Sequence, residues 1–303
     1  MKGFVIAARS GFYKVVLEDG TERLATARGH NKIANEAAGG ILTGDDIELS
    51  DDGEQPVIER VLPRRTFIER GGLDRRGKTQ PLVANVDRAL VVFAAQNPRS
   101  RATAIDRYLV SVEYQDLDLT LVFNKWDLRD EQAEQLVSIY RSAGYAVLTL
   151  NTLHDPEQTR AAVDAIPFSR LYICGPSGVG KTTIINTLMP SAEASAVGEV
   201  NASSGIGRHT TTTIELKRFA LGRYLVDTPG LGQLVLRGLE PHNLKNFYRE
   251  FLPAAQNCRY GDCLHLEEPA CAVREVIGQA VAPERYESYR GLLGMLSEKP
   301  GRY

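Results

Sequence analysis

The hydrophobic period changes along the chain. Over residues 1–65 apolar positions come in short runs cut by turn residues. The opening MKGFVIAARSGFYKVV alternates like a strand, and the run at 12–17 is stopped by Asp19-Gly20. Gly44-Asp45-Asp46 precedes Ile47-Glu48-Leu49, and Gly53 and Pro56 precede Val57-Ile58-Glu59-Arg60-Val61-Leu62. Short strands at this spacing predict a small barrel or sandwich, with at most a helical turn at 31–38. From 81 to 240 apolar runs at 90–94, 119–123, 146–150 and 171–174 alternate with helix-like stretches at 102–115, 131–143 and 156–165. That alternation predicts strands buried on both faces, in a mostly parallel sheet flanked by helices. Residues 66–80, basic and Gly-rich with Arg70, Arg75, Arg76 and Lys78, read as a mobile linker, either a solvated loop or a phosphate contact. Residues 241–303 read as helical around a cysteine cluster, so the expected division is 1–65, 66–80, 81–240 and 241–303.

A length of 303 residues agrees with two or three domains. No apolar run is long enough to span a bilayer, and the first residues lack the continuous apolar stretch of a signal peptide, so we expect a cytoplasmic protein with no membrane partner. With a net charge of -2, nucleic-acid contact must come from local basic patches. Four cysteines are too few for a disulfide scaffold.

The chemistry begins at Gly175-Pro176-Ser177-Gly178-Val179-Gly180-Lys181-Thr182, which fits G-x-x-x-x-G-K-[ST] between an apolar strand and a helix opening at Thr183. Glycines let backbone N–H groups converge on phosphates at a helix N-terminus. Lys181 is expected to reach the β and γ phosphates and the Thr182 hydroxyl to hold Mg²⁺. Asp227-Thr228-Pro229-Gly230 follows an apolar run; Asp227 at a strand end suits Mg²⁺, and Gly230 suits a backbone N–H near the γ-phosphate. Between them lies Gly205-Ile206-Gly207-Arg208-His209-Thr210-Thr211, where Thr210 or Thr211 is expected to complete the Mg²⁺ shell. The alternative there is a Thr-rich edge strand running into Ile214-Glu215-Leu216.

Asn124-Lys125-Trp126-Asp127 fits N-K-x-D at the end of an apolar strand. An Asp carboxylate accepts from guanine N1–H and N2–H₂, a donor pair adenine lacks. The Lys125 stem would cover the base, and Asn124 would brace the neighbouring loop. The alternative is a helix N-cap sequence ending in Asp127. Asn151-Thr152 is a loose match to the base-side turn of GTPases. The guanine motif thus precedes the phosphate loop, the reverse of the usual order and the mark of a circular permutation. GTP with Mg²⁺ is the ligand this set predicts, and a P-loop ATPase is the weaker reading, because Asp127 argues against adenine.

Cys258, Cys263, His265 and Cys271 supply three thiolates and an imidazole within fourteen positions, which suits one tetrahedral structural Zn²⁺ with no open site for water. Cys174, alone in a strand, reads as a small buried hydrophobe.

Together these motifs, with Arg28-Gly29 near the N-terminus, G-R-H-T-T-T and C-x4-C-x-H-x5-C, resemble the ribosome small-subunit-dependent GTPase A family of bacterial permuted GTPases. The resemblance spans essentially the whole chain. It implies an N-terminal OB-fold β-barrel, a central α/β P-loop GTPase domain in permuted order and a C-terminal mostly helical zinc-binding domain. It also implies binding of the 30S ribosomal subunit and its 16S rRNA late in maturation, with subunit-stimulated GTP hydrolysis; a monomer is expected. Leu231 stands where many GTPases carry a water-orienting Gln, so His209 is the candidate catalytic group, with a plain loop hydrogen-bonder as the alternative. Two roles remain open at this level: an assembly GTPase released by hydrolysis, or an RNA-binding checkpoint protein shaped by nucleotide.

Overall fold

In a computed structural model the described residues are 1–9, 11–27, 40–50, 55–70, 80–189, 214–227, 236 and 238–297, with only the backbone described for Phe67, Arg70, Gln80, Pro81 and Asp227. The strands are β1 (Lys2–Arg9), β2 (Phe12–Leu17), β3 (Glu22–Ala27), β4 (Asp46–Ser50), β5 (Val57–Val61), β6 (Phe67–Arg70), β7 (Gln80–Ala84), β8 (Arg88–Ala94), β9 (Asp118–Asn124), β10 (Val147–Thr149), β11 (Arg170–Cys174), β12 (Glu215–Ala220) and β13 (Arg223–Asp227). The longer helices are α1 (Ala102–Glu113), α2 (Glu131–Ser142), α3 (Pro156–Asp164), α4 (Lys181–Leu188) and α5 (Pro283–Ser297). The chain divides into two compact units, Met1–Leu90 with Pro156–Cys174 and Lys181–Leu234, and Val91–Asp155 with Gly175–Gly180 and Val235–Tyr303.

In the first unit, β1, β2, β3, β5 and β4 form a five-stranded barrel, closed where β4 pairs back on β1 and with β3 parallel to β5. Period-two patterning builds its core. Tyr13 and Val15 of β2 point inward and join Val5, Ala25, Ile47, Leu49 and Ile58, while Phe12 and Lys14 face out. The same unit holds β11, β13 and β12, with β11 parallel to β13 and β12 antiparallel to it. β12 meets β1 at Ala7 and Glu215, so it lies between two strands and is not a sheet edge. Arg170 of β11 secures this junction. Its guanidinium donates to the carbonyls of Gly44 (3.0 Å) and Asn85 (3.2 Å), pairs with Asp46 and stacks 4.5 Å from the Phe4 ring centre. Beneath it, Phe4 and Tyr224 pack edge to face at 5.0 Å.

The segment read as a mobile linker is strand at its start: Phe67–Arg70 pairs antiparallel with Gln80–Ala84. The signal is thin: among the described side chains Ile68, Val83 and Ala84 are the fully buried ones that hold the pair.

In the second unit β9 lies between the end of β8 and β10, and β10 runs parallel to it. β9 is buried along nearly its whole length, as its apolar run predicts, whereas β10 is only half-buried and shorter than 146–150 because it has one neighbouring strand. The C-terminal segment combines short helical turns with α5. Its core of Leu244, Tyr248, Phe251, Val273, Tyr289 and Leu292 extends to Val110 of α1. Arg285 of α5 is buried within that contact, paired with Asp106 of α1 and with Glu250 at 2.6 Å. The Tyr248 ring covers the guanidinium at 4.4 Å. Burial alone would lower the Arg285 guanidinium, but the two carboxylates outweigh it and hold it well above its ordinary value.

Candidate nucleotide and metal sites

The loop joining β11 to α4 depends on glycine at two positions. Gly175 has φ +143°, and a Cβ there would stand 2.0 Å from the Val92 carbonyl oxygen. Gly180 has φ +96°, and its Cβ would stand 2.3 Å from Asn124 Nδ2. Both positions demand a backbone that L-residues avoid and a space that no side chain can enter. Between them Val179 is fully buried while Ser177 and Gly178 face solvent, so the loop is anchored at its centre and open at its tip. Lys181 opens α4; burial lowers its ammonium from the ordinary value, and an anionic phosphate beside it would offset that cost. Thr182 is exposed and Thr183 half-buried on the first turn. The Cys174 thiol just before the loop is fully buried, and burial pushes it up to about 12, as suits an inert hydrophobe.

Asn124 ends β9 and braces its surroundings. Its amide donates to the Val179 carbonyl of the phosphate loop at 3.0 Å, and its oxygen accepts from the Thr152 hydroxyl at 2.9 Å and the Thr152 N–H at 3.3 Å. Asn124 and Thr152 are both buried. Three segments far apart in sequence are thus tied through one side chain. Lys125 adopts the left-handed conformation (φ +54°), and its ammonium donates to the Asn97 carbonyl, in a loop whose Pro98 lies against Gly178. Trp126 turns its ring toward Phe123 (6.4 Å, tilted 67°), with Arg129 stacked at 5.7 Å. Asp127 sits in the helical turn Trp126–Leu128, and the N-cap of α2 is Asp130, which accepts from Ala133 N–H at 3.0 Å. Asp127 therefore does not cap α2, and its carboxylate is half-buried with His154 Nε2 3.7 Å from Oδ2. No motif or spacing in the sequence singles out His154. Among the described residues nothing donates to the buried Asn151 Oδ1, and the Asn151 carbonyl closes the turn onto the N–H groups of His154 and Asp155.

Asp227 is the last residue of β13, opposite Glu215. Its side chain, Gly230, His209, Thr210 and Thr211 lie outside the described residues.

Cys258, Cys263, His265 and Cys271 converge, with all four ligand atoms within 4.8 Å of one another. His265 Nδ1 stands 3.7 Å from Cys258 Sγ and 3.4 Å from Cys271 Sγ, and those sulfurs are 4.0 Å apart. Tetrahedral Zn²⁺ with ordinary bond lengths asks for roughly 3.5 Å between nitrogen and sulfur and roughly 3.8 Å between sulfurs. The donor set fits such an ion, with Nδ1 as the imidazole ligand. Burial pushes the Cys263 thiol up to about 12 and lowers the His265 ring. The imidazole is then neutral and available to a metal, and a bound cation would favour the Cys263 sulfur as thiolate. The loop is clamped from outside: the Tyr286 hydroxyl donates to the His265 carbonyl and the Tyr289 hydroxyl to the Leu264 carbonyl, each at 2.7 Å. Glu268 accepts from the N–H groups of Leu264 (2.7 Å) and Leu266 (2.8 Å).

The geometry has close relatives. A model of the RsgA GTPase family matches residues 61–237. The small ribosomal subunit biogenesis GTPase RsgA of Agathobacter rectalis is 33% identical over 315 aligned residues, covering 99% of each chain. This chain belongs to the RsgA GTPase family. The RsgA match extends to solved structures. YjeQ from Thermotoga maritima superposes with a TM-score of 0.80 at 30% identity, over 98% of this chain and 99% of that one. YloQ, described as a circularly permuted GTPase, superposes with a TM-score of 0.75 over 100% and 96% of the two chains and, at 24% identity, speaks for the fold alone. The barrel, the permuted GTPase region and the Cys₃His cluster of this RsgA-family GTPase follow the order in which its motifs occur. Among the described residues no helix is long and apolar enough to cross a membrane.

Proposed function

We propose that this GTPase acts in late maturation of the small ribosomal subunit. It would bind the 30S particle through 16S rRNA, hydrolyse GTP to GDP and phosphate with stimulation by the particle, and leave on hydrolysis. The observation that carries this reading is similarity along 99% of the chain to a relative named for small ribosomal subunit biogenesis. In this reading Asp127 reads guanine and Lys125 covers the base. The backbone of Gly175–Gly180 and Lys181 hold the phosphates. Thr182, Asp227 and Thr210 or Thr211 complete the Mg²⁺ shell, and His209 orients water or stabilises charge once the particle orders its loop. The Cys₃His cluster holds one structural Zn²⁺. The modules would divide at 1–65, 66–80, 81–240 and 241–303, in a cytoplasmic monomer.

The test is GTP turnover with and without purified small subunits. Stimulation by the particle, lost in His209→Ala with GDP affinity kept, is the expected result. Turnover indifferent to the particle would sink the reading, and near-normal stimulation of His209→Ala would remove that residue from the mechanism.

A further inference from the structure

Beyond the four residues of N-K-x-D, a histidine 27 positions after Asp127 stands at the same carboxylate, with Nε2 3.7 Å from Oδ2. We propose that His154 is a positioning residue for guanine recognition, setting the Asp127 carboxylate before the base arrives. The proposal rests on the reading of Asp127 as the guanine acceptor.

The turn that carries His154 is fixed at both ends. The Asn151 carbonyl accepts from the N–H of His154 at 3.0 Å and of Asp155 at 2.7 Å, closing a tight turn. Thr152, within that turn, is buried and doubly bonded to Asn124 Oδ1. The turn is therefore locked to the segment that carries Asp127, and the imidazole is carried back toward the carboxylate. The two side chains remain open to a ligand, with 64% of His154 and 32% of Asp127 exposed.

A carboxylate offers about four lone-pair directions. Guanine N1–H and the 2-amino group use one on each oxygen. That leaves an outer direction on Oδ2 for an imidazole N–H. Nε2 stands 3.7 Å away, just beyond a direct hydrogen bond, and a polar group that close limits rotation of the carboxylate, so less freedom is lost when the base binds. The proposal takes Oδ2, the oxygen nearer His154, as the acceptor of the 2-amino group, so the effect should act most on that bond.

The experiment compares GDP with inosine diphosphate, which lacks the 2-amino group, by calorimetric titration of the full-length protein and its His154→Ala, His154→Gln and Asp127→Ala variants. His154→Ala is expected to weaken GDP about threefold to tenfold, the range for ordering one side chain. Inosine diphosphate should weaken less, so the preference for GDP shrinks. His154→Gln, which restores a neutral donor, should recover part of that preference. Equal losses on both nucleotides, or an unchanged preference in His154→Ala, overturn the proposal. Unchanged GDP affinity in Asp127→Ala overturns the base-site reading with it. A loss there without one in His154→Ala removes only the role of His154.

Discussion

Gly180 and Asn124 meet so closely that no side chain fits between them: a Cβ on Gly180 would lie 2.3 Å from the Asn124 amide nitrogen. That nitrogen is the donor to Val179, so the contact and the hydrogen bond hold the same stretch of the phosphate loop against the end of β9. The last glycine of one motif is thus shaped by the first residue of the other.

Gly180→Ala must shift both the Asn124 amide and a backbone at φ +96°. We expect a stability loss of about 1–3 kcal/mol, the usual cost of a residue held in a sparsely populated conformation. GDP affinity should fall by at least about tenfold. Urea denaturation and GDP titration of the same preparation check this, and wild-type values in both would show that the loop relaxes freely.

Asp127→Asn exchanges one acceptor oxygen for a donor. Guanine then meets N–H against its 2-amino group, whereas xanthine offers a carbonyl at that position. GDP affinity should fall on the order of a hundredfold or more while xanthosine diphosphate gains. Trp126, the only tryptophan of the chain, adjoins the substituted position and supplies an intrinsic fluorescence signal for both titrations. Failure of xanthosine diphosphate to gain would argue that the base binds in another orientation.

Metal analysis should find one zinc per chain, and Cys271→Ser should abolish it. Chelation should then release the loop that Glu268, Tyr286 and Tyr289 clamp, so the Leu264 and Leu266 amides exchange hydrogen faster while those of β2 keep their protection. Because cysteine thiols must lose their protons to bind, retention of the metal should weaken as pH falls. Unchanged exchange at Leu264 and Leu266 after full metal removal would show that side-chain packing holds the loop alone.

Arg285→Ala strands Asp106 and Glu250 in a buried site and should cost about 3–5 kcal/mol. Replacing all three residues together by Met and Leu should cost far less, because no charge is then left unpaired. Thermal denaturation of both variants separates the two outcomes. A triple variant as unstable as Arg285→Ala would mean that the hydroxyls of Tyr140 and Tyr248, which also bond Asp106, need that carboxylate.

The sequence by itself determined the motifs and their order. The phosphate loop, N-K-x-D and the Cys₃His spacing are each runs of near neighbours, and their demands are local: glycine where φ is positive, an acidic residue at a strand end, sulfurs close enough to share one ion. The alternating runs likewise announced a small barrel or sandwich, and the continuous apolar runs announced the buried strands. Only the tertiary structure decided that Asn124 bonds a loop 55 residues away, that His154 rather than another polar group faces Asp127, and that Arg285 of α5 pairs with Asp106, 179 residues earlier. It also showed that Ile68 makes a strand of a basic stretch and that Asp130, not Asp127, caps α2. The physical reason is the same throughout. Backbone preference and ligand chemistry are properties of a residue and its neighbours, whereas a hydrogen bond or buried ion pair exists only once chain closure has brought distant groups within a few ångströms.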